Sequence, residues 1–223
     1  MSSVRCLISA GPTREYFDPV RYLSNPSSGK MAYALAAAAA EHHWQVDLVS
    51  GPVALPCPSG VTRHTAVTGA DMFAEIDRRF DSCNILIMTA AVMDYRPQAY
   101  TAQKLKKTGE PLTVTLEPVI DILKTIAARK SHQCVVGFAA ETDHLLDNAR
   151  RKCREKNCDY VVANQVGGQH SAFESDTNRV SLIQADGTVT DYGPDHKTAI
   201  AQALIRHFAP SLHTESDPCP SSL

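Results

Sequence analysis

A chain of 223 residues with 43% hydrophobic and 21% charged residues suits one large soluble domain or two small ones. The formal net charge of −2 removes any overall pull toward nucleic acid or a membrane surface, so an anionic ligand must be held by a local basic cluster. Seven cysteines without a C-x-x-C pair argue against a zinc site or a disulfide framework, and a reducing cytoplasm is the expected location.

Residues 4–10, VRCLISA, read as a buried strand, and no signal-peptide layout precedes them. The stretch RYLSNPSSGKMAYALAAAAAEHH begins at Arg21, with a helix expected over 28–42. Ser27-Ser28-Gly29-Lys30 in front of it has two readings. Its hydroxyls suit a helix cap, and the free amides of a helix start also suit an anion. It is not a Walker A loop, because two glycines and a hydroxyl after Lys30 are missing. The apolar run from Tyr33 to Ala40 is too short to cross a bilayer, so no membrane partner is expected.

QVDLVS at 45–50 alternates as a strand does and stops at Gly51-Pro52. A short strand at 61–67 and a helix at 70–80 come before NILIMTAA, 84–91, a continuous apolar run suited to a parallel sheet covered on both faces. A polar segment, 92–111, carries Arg96-Pro97 and Lys104-Leu105-Lys106-Lys107. The pattern then predicts a strand in LTVTL (112–116), a helix at 120–130 and a strand at 134–140. A helix at 141–156 and the strand DYVVAN (159–164) follow. After a loop rich in Gly and Ser come a hairpin about Asp186-Gly187 and a helix at 196–208. The domain is therefore set at 1–209. Residues 210–223 hold turn formers and few apolar side chains, and a disordered tail is expected there.

Apolar strands alternating with helices of a dozen residues predict an α/β fold, a Rossmann-like doubly wound, mostly parallel sheet with helices on both faces. Ligands of such folds sit beyond the carboxyl ends of the strands, which selects residues 10–30, 90–107, 138–141 and 164–176. Within them, Lys104, Lys106 and Lys107 read either as a solvated charge run or as a mobile flap that closes over phosphates, with Gly109 as hinge. In helix 141–156, Leu145, Leu146, Ala149 and Cys153 form the inward stripe. Lys152 and Lys156 project from its border, either snorkelling or facing a ligand. Without an anion, two such lysines would repel each other. Asp94 could serve a hydroxyl, a magnesium-bound phosphate or a turn, and Asn25 could orient a carbonyl or close a turn before Pro26. The nine histidines show no ligand spacing. Neither G-x-S-x-G nor G-x-G-x-x-G occurs, which disfavours an esterase and a nicotinamide oxidoreductase.

The motifs SAGPTREYFDPVRYLSNPSSGKMAYALA, LVSGPVALP, TAAVMDYRP, KLKK, VVGFAAET and DYVVAN occur in this order. Together they resemble phosphopantothenoylcysteine synthetase, the ligase half of the bacterial bifunctional coenzyme A biosynthesis flavoprotein, from about Cys6 to Phe208. The resemblance implies a CTP-dependent ligase that joins 4′-phosphopantothenate to L-cysteine. The acid first attacks the α-phosphate, giving an acyl-cytidylate and pyrophosphate, and the amine of cysteine then displaces CMP. CTP and Mg²⁺ are implied. FMN is not expected, because the flavin-dependent decarboxylase half has no counterpart here.

By the same resemblance, Asn25 is the asparagine of the second half-reaction and Lys104 the flap lysine of the first. Met88, Thr89, Ala90, Asp94, Ile120, Asp121, Ile122, Leu123, Phe138, Lys152 and Lys156 match nucleotide-contacting positions. Arg21, Asn25, Ser27 and Ser28 fall on the substrate side, which makes the turn at 27–30 both cap and ligand site; direct metal ligands are not assigned. The family usually has Asn-Pro-Asp-Ile where this chain has Val119-Ile120-Asp121-Ile122, so contacts through Asp121 or the backbone are expected to survive and those of a proline ring are not. A homodimer is implied. Three readings compete with the leading one: the same reaction with ATP, a non-catalytic nucleotide-binding subunit that needs a decarboxylase partner, and a nicotinamide oxidoreductase.

Overall fold

The computed structural model describes residues 3–141, 143–165 and 175–212. In chain order its strands are β1 (Arg5–Ala10), β2 (Glu15–Asp18), β3 (Arg21–Leu23), β4 (Gln45–Ser50), β5 (Val61–Thr65), β6 (Ile85–Met88), β7 (Tyr95–Pro97), β8 (Leu116–Pro118), β9 (Cys134–Glu141), β10 (Tyr160–Gln165), β11 (Thr177–Gln184) and β12 (Val189–His196). Five α-helices accompany them: α1 (Lys30–Glu41), α2 (Gly69–Phe80), α3 (Ile122–Ala127), α4 (Leu145–Glu155) and α5 (Lys197–Phe208).

Eight strands form one sheet in the order β12-β11-β10-β9-β6-β1-β4-β5. Pairing is parallel from β10 to β5, and the β11–β12 hairpin adds two antiparallel strands at one edge. Side chains alternate across a strand, so a run that is apolar throughout needs cover on both faces. In β1, Cys6, Ile8 and Ala10 face the layer of α1 and α5, while Leu7 faces that of α2, α3 and α4. In β6, Ile85 and Ile87 take the first side and Leu86 and Met88 the second. The doubly wound reading of the sequence is therefore correct.

Helix α1 is buried around much of its girth, through Met31, Ala32, Tyr33, Leu35, Ala36, Ala38 and Ala39. Its alanines let it sit between the sheet and α5, whose Ile200, Ala201, Leu204 and Phe208 belong to the same core. Small side chains there replace amphipathicity as the signal of burial.

Four sequence expectations need correction. The LTVTL segment is not a strand. The short β8 begins at its last residue and pairs with β7, and Leu112 and Leu116 are both exposed, so the segment has no covered face to carry the alternation. The helix expected at 120–130 shrinks to the six residues of α3, which Asp121 caps. The apolar run 84–91 is strand only to Met88, after which it turns into the loop at the strand's carboxyl end. The tail expected at 210–223 does not begin at 210, since Ala209–Leu212 form a short 3-10 helix; residues 213–223 lie outside the described residues. Among the described residues no helix is long and apolar enough to cross a membrane.

Candidate active site

The chain enters the sheet at β1, builds β4 and β5 on one side and β6 and β9 on the other, so the strand order reverses at β1. Ligands of doubly wound sheets bind at that point, beyond the carboxyl ends. A cleft of about 320 Å³ lies there, bordered by residues 27–32 on one side and by 88–94, 119–123, 138–140, Lys152 and Lys156 on the other, with Asn164, Asn178 and Lys197 at its border as well.

Side-chain hydroxyls bind its walls together. Buried Ser9 accepts hydrogen bonds from the Thr89 and Ala90 amides at 3.1 and 3.0 Å, which turns the chain sharply after β6. The Ala91 amide donates to the Gly11 carbonyl at 3.0 Å, and the Met93 amide to Thr13 Oγ1 at the same distance. Ser24 Oγ donates to the Thr13 carbonyl at 2.7 Å. Asn25 Nδ2 donates to the Ala91 carbonyl, and Asn25 Oδ1 accepts from the Ser27 amide at 3.1 Å. These bonds hold the loops after β1 and β6 and the turn before α1 as one unit. The Thr89 hydroxyl stays buried without a hydrogen-bond partner among the described residues, an unusual state in a folded chain.

The turn before α1 differs from the expected serine cap. Gly29 is the N-cap, at φ 75°, and no side chain caps the helix. Glycine adopts this left-handed conformation without steric cost. The arrangement directs the helix start toward the cleft, where the first amides have no partner within the helix. A second glycine permits the close approach of the neighbouring loop, since a Cβ on Gly51 would stand 1.8 Å from the Pro12 carbonyl oxygen.

Cations surround the cleft, each restrained by a neighbour. Lys152 Nζ donates to the Phe138 carbonyl, and Lys156 Nζ pairs with Asp121 Oδ2 at 2.9 Å. The repulsion expected between these lysines is thus offset by Asp121. Burial opposes the charged form of Asp121, but the Lys124 amide, the Lys156 ammonium and the Lys152 charge outweigh it and hold its pKa below the usual carboxylate value. Lys30 Nζ pairs with Asp176 Oδ1 at 2.7 Å. Lys197 is only 6% exposed, and burial first and Lys30 second lower its pKa against the pull of Asp176.

Of the positions named from sequence, Ser27, Ser28, Met88, Thr89, Ala90, Asp94, Ile120, Asp121, Ile122, Leu123, Phe138, Lys152 and Lys156 all border this cleft. Arg21, Asn25 and Lys104 are not among its described lining residues. Asn25 lies directly behind the lining through Ala91 and Ser27. Arg21 belongs to the β2–β3 hairpin, and exposed Lys104 to the loop after β7. In α4 the phase argument holds for Ala149 and Cys153, which are buried, but Leu146 is 37% exposed. The two long leucines of the first turn flank the buried stripe and are only partly covered. Sequence reasoning missed Lys197. The available signal was a cation on the first residue of a helix, where the helix dipole disfavours positive charge.

The result is a doubly wound α/β domain with a cationic cleft at its topological switch point. The chain belongs to the DNA/pantothenate metabolism flavoprotein C-terminal domain family, whose model matches residues 1–211. It is 43% identical over 204 residues to the coenzyme A biosynthesis bifunctional protein CoaBC of Bacillus subtilis, covering 91% of this chain and 50% of that protein. The CoaBC protein of Escherichia coli is 44% identical over 191 residues, covering 84% of this chain and 47% of that protein. The chain thus spans about half the length of the curated relatives it matches. A crystal structure of the C-terminal domain of a CoaBC protein superposes with a TM-score of 0.82 at 37% identity, over 96% of this chain and 98% of that one. A Cab2 variant solved in complex with phosphopantothenate-cysteine shares the fold, with a TM-score of 0.76 at 15% identity over 96% and 89% of the two chains. The resemblance drawn from the motifs is borne out.

Proposed function

We propose that the chain joins 4′-phosphopantothenate to L-cysteine at the expense of CTP, through an acyl-cytidylate, in coenzyme A biosynthesis. One observation carries this reading: every position matched to the nucleotide except Lys104 borders a single cleft, opposite the start of α1. The curated relatives, at 43% and 44% identity, are coenzyme A biosynthesis proteins, and a fold neighbour was solved with phosphopantothenate-cysteine.

The chemistry makes three demands. A carboxylate must reach the α-phosphorus of an anionic nucleotide, so cations must offset the charge of both. Lys152 and Lys156 serve the nucleotide, and Lys104 serves the phosphates from its loop. A carboxylate oxygen bonds to the α-phosphorus as the bond to pyrophosphate breaks. The mixed anhydride must then be kept from water, to which Ile120, Ile122, Leu123 and Phe138 contribute an apolar part of the wall. Finally, the amine of cysteine bonds to the acyl carbon and CMP leaves; the amine proton goes to solvent. Asn25, with its amide beside Ala91, serves the acyl carbonyl as charge develops on its oxygen, and the unpartnered Thr89 hydroxyl offers the nucleotide a hydrogen bond.

Mg²⁺ would suit this site as a cation carried by the triphosphate. Among the described residues no group of three or more His, Cys, Asp or Glu converges; Asp94 and Asp121 border the cleft, and Asp121 is already paired with Lys156, which leaves Asp94 as the carboxylate open to a cation. That is the donor set Mg²⁺ accepts when phosphates supply the rest. The K-x-K-K run and DPVRYLSN favour CTP over ATP. On this reading the enzyme works in the cytoplasm as a homodimer, with a decarboxylase as its candidate partner. Incubation with phosphopantothenate, cysteine and each nucleoside triphosphate in turn tests the proposal. Product and pyrophosphate are expected with CTP. Product with ATP alone would transfer the reading to the ATP-using type, and binding without turnover would leave a nucleotide-binding subunit.

A further inference from the structure

Asp18 has no exposed side-chain surface, yet it closes a hairpin of only four and three residues. Its Oδ1 accepts from the Val20 and Arg21 amides at 2.9 and 2.8 Å, which is all that the turn between β2 and β3 requires. Its Oδ2 is used elsewhere. It accepts from the Leu105 amide at 3.2 Å and pairs with Arg21 Nη1 at 2.5 Å. Arg21 Nη1 in turn donates to the Leu105 carbonyl at 3.0 Å. Two side chains therefore hold both backbone groups of one residue in a long polar loop. A second tie lies four residues earlier, where the Thr101 amide donates to the Phe17 carbonyl at 3.0 Å.

Lys104 stands between these two ties, next to the clamped residue. Taking a carboxylate out of water is costly, and a turn alone does not require it. The cost is understandable if the location of the neighbouring residue matters. Lys106, Lys107 and Gly109, at φ 93° with open space around it, lie beyond the clamp.

We propose that Asp18 is a positioning residue that sets the location of Lys104 by clamping the Leu105 backbone together with Arg21. The proposal rests on the reading that gives Lys104 a part in the first half-reaction. Asp18→Asn is a sharp probe, because both oxygens face donors and an amide can satisfy only one side. Turning its nitrogen toward Leu105 sets donor against donor, and flipping it disrupts the turn instead.

The test is a mutant cycle on pyrophosphate release from CTP and phosphopantothenate, with hydrogen exchange at Leu105 measured alongside. Asp18→Asn should lower kcat at least about tenfold with little change in KM for CTP, as misplacement of a reacting-site group does. It should also speed exchange of the Leu105 amide. In a Lys104→Gln background the same change should cost less than about twofold, because the lysine it positions is gone. Equal losses in both backgrounds, or unchanged exchange at Leu105, would overturn the proposal and leave Asp18 a plain structural residue. If wild-type protein releases no pyrophosphate from any nucleoside triphosphate, the functional reading itself falls and takes this role with it. Should Asp18→Asn not fold, Arg21→Gln removes the donor to the Leu105 carbonyl and is subject to the same cycle.

Discussion

Lys156 Nζ lies 2.9 Å from Asp121 Oδ2, so the C-cap of α4 is fastened to the N-cap of α3 at the rim of the cleft. The pair holds a cation beside the nucleotide's expected place. Replacing Lys152 and Lys156 together with glutamine should weaken CTP binding by about 1.5 kcal/mol per lysine, the scale of a charge-assisted hydrogen bond. The loss should shrink as salt rises. The free protein should become slightly less stable, because Asp121 loses its partner, where repulsion alone would have predicted a gain. Thermal-shift titration with CTP reads both effects, and an unchanged affinity would return both lysines to a packing role.

Asp121 also gives the fold a dependence on acid. Its pKa in the folded chain is depressed, so its contribution is complete above the unfolded carboxylate value and is lost as pH falls through the folded one. Asp121→Asn keeps a capping side chain but cannot titrate. Its melting temperature should therefore lie below that of the wild type by a constant margin above about pH 5, and the margin should narrow progressively as pH falls below about 3.9. Parallel melting curves across that range would contradict this.

Much of this arrangement was legible in the sequence, and the exceptions share a cause. The parallel strands announced themselves because β1, β6, β9 and β10 are apolar on both faces, and that pattern survives without tertiary knowledge. Helical phase puts Lys152 and Lys156 at the border of the inward stripe and leaves snorkelling and ligand contact open; both border the cleft. The LTVTL segment failed because alternation predicts a strand only where one face is covered, and Leu112 and Leu116 are both left exposed. Helix α3 was overestimated at both ends: Asp121 caps it so that it starts at Ile122, and past Ala127 the Arg129 and Lys130 amides turn back to the Ile126 and Ala127 carbonyls three residues before. The Asp18–Leu105 clamp joins residues 87 positions apart, which local pattern does not encode.

Asn25 carries the second half-reaction in this account. Asn25→Asp should still form the acyl-cytidylate but consume it slowly, since a carboxylate repels the negative charge developing on the carbonyl oxygen. Its oxygen would also oppose the Ala91 carbonyl that Asn25 Nδ2 now meets, so the turn at 27–30 should loosen. Mass spectrometry of a quenched reaction should show the intermediate accumulating. Normal product formation would remove Asn25 from the mechanism.

Assembly is open to a direct measurement. Tyr22, Tyr95, Tyr100, Leu112 and Leu116 are 40 to 61% exposed on the β2–β3 hairpin, the β7–β8 ribbon and the loop between β7 and β8. Such side chains would mark an interface where they join into one contiguous patch, which is what the proposed homodimer requires of them. Light scattering on active protein should give twice the 24.2 kDa of one chain, and Tyr100→Lys should shift it toward the monomer. An active monomer would contradict the proposed homodimer.

The central claim is an acyl-cytidylate formed in this cleft, and a single-turnover reaction without cysteine tests it most directly. Enzyme mixed with phosphopantothenate, CTP and Mg²⁺ should release pyrophosphate and hold a species with the mass of phosphopantothenoyl-cytidylate. Adding cysteine should then convert that species to phosphopantothenoylcysteine and CMP. Release of CDP and inorganic phosphate instead, or no reaction until cysteine is present, would contradict the account.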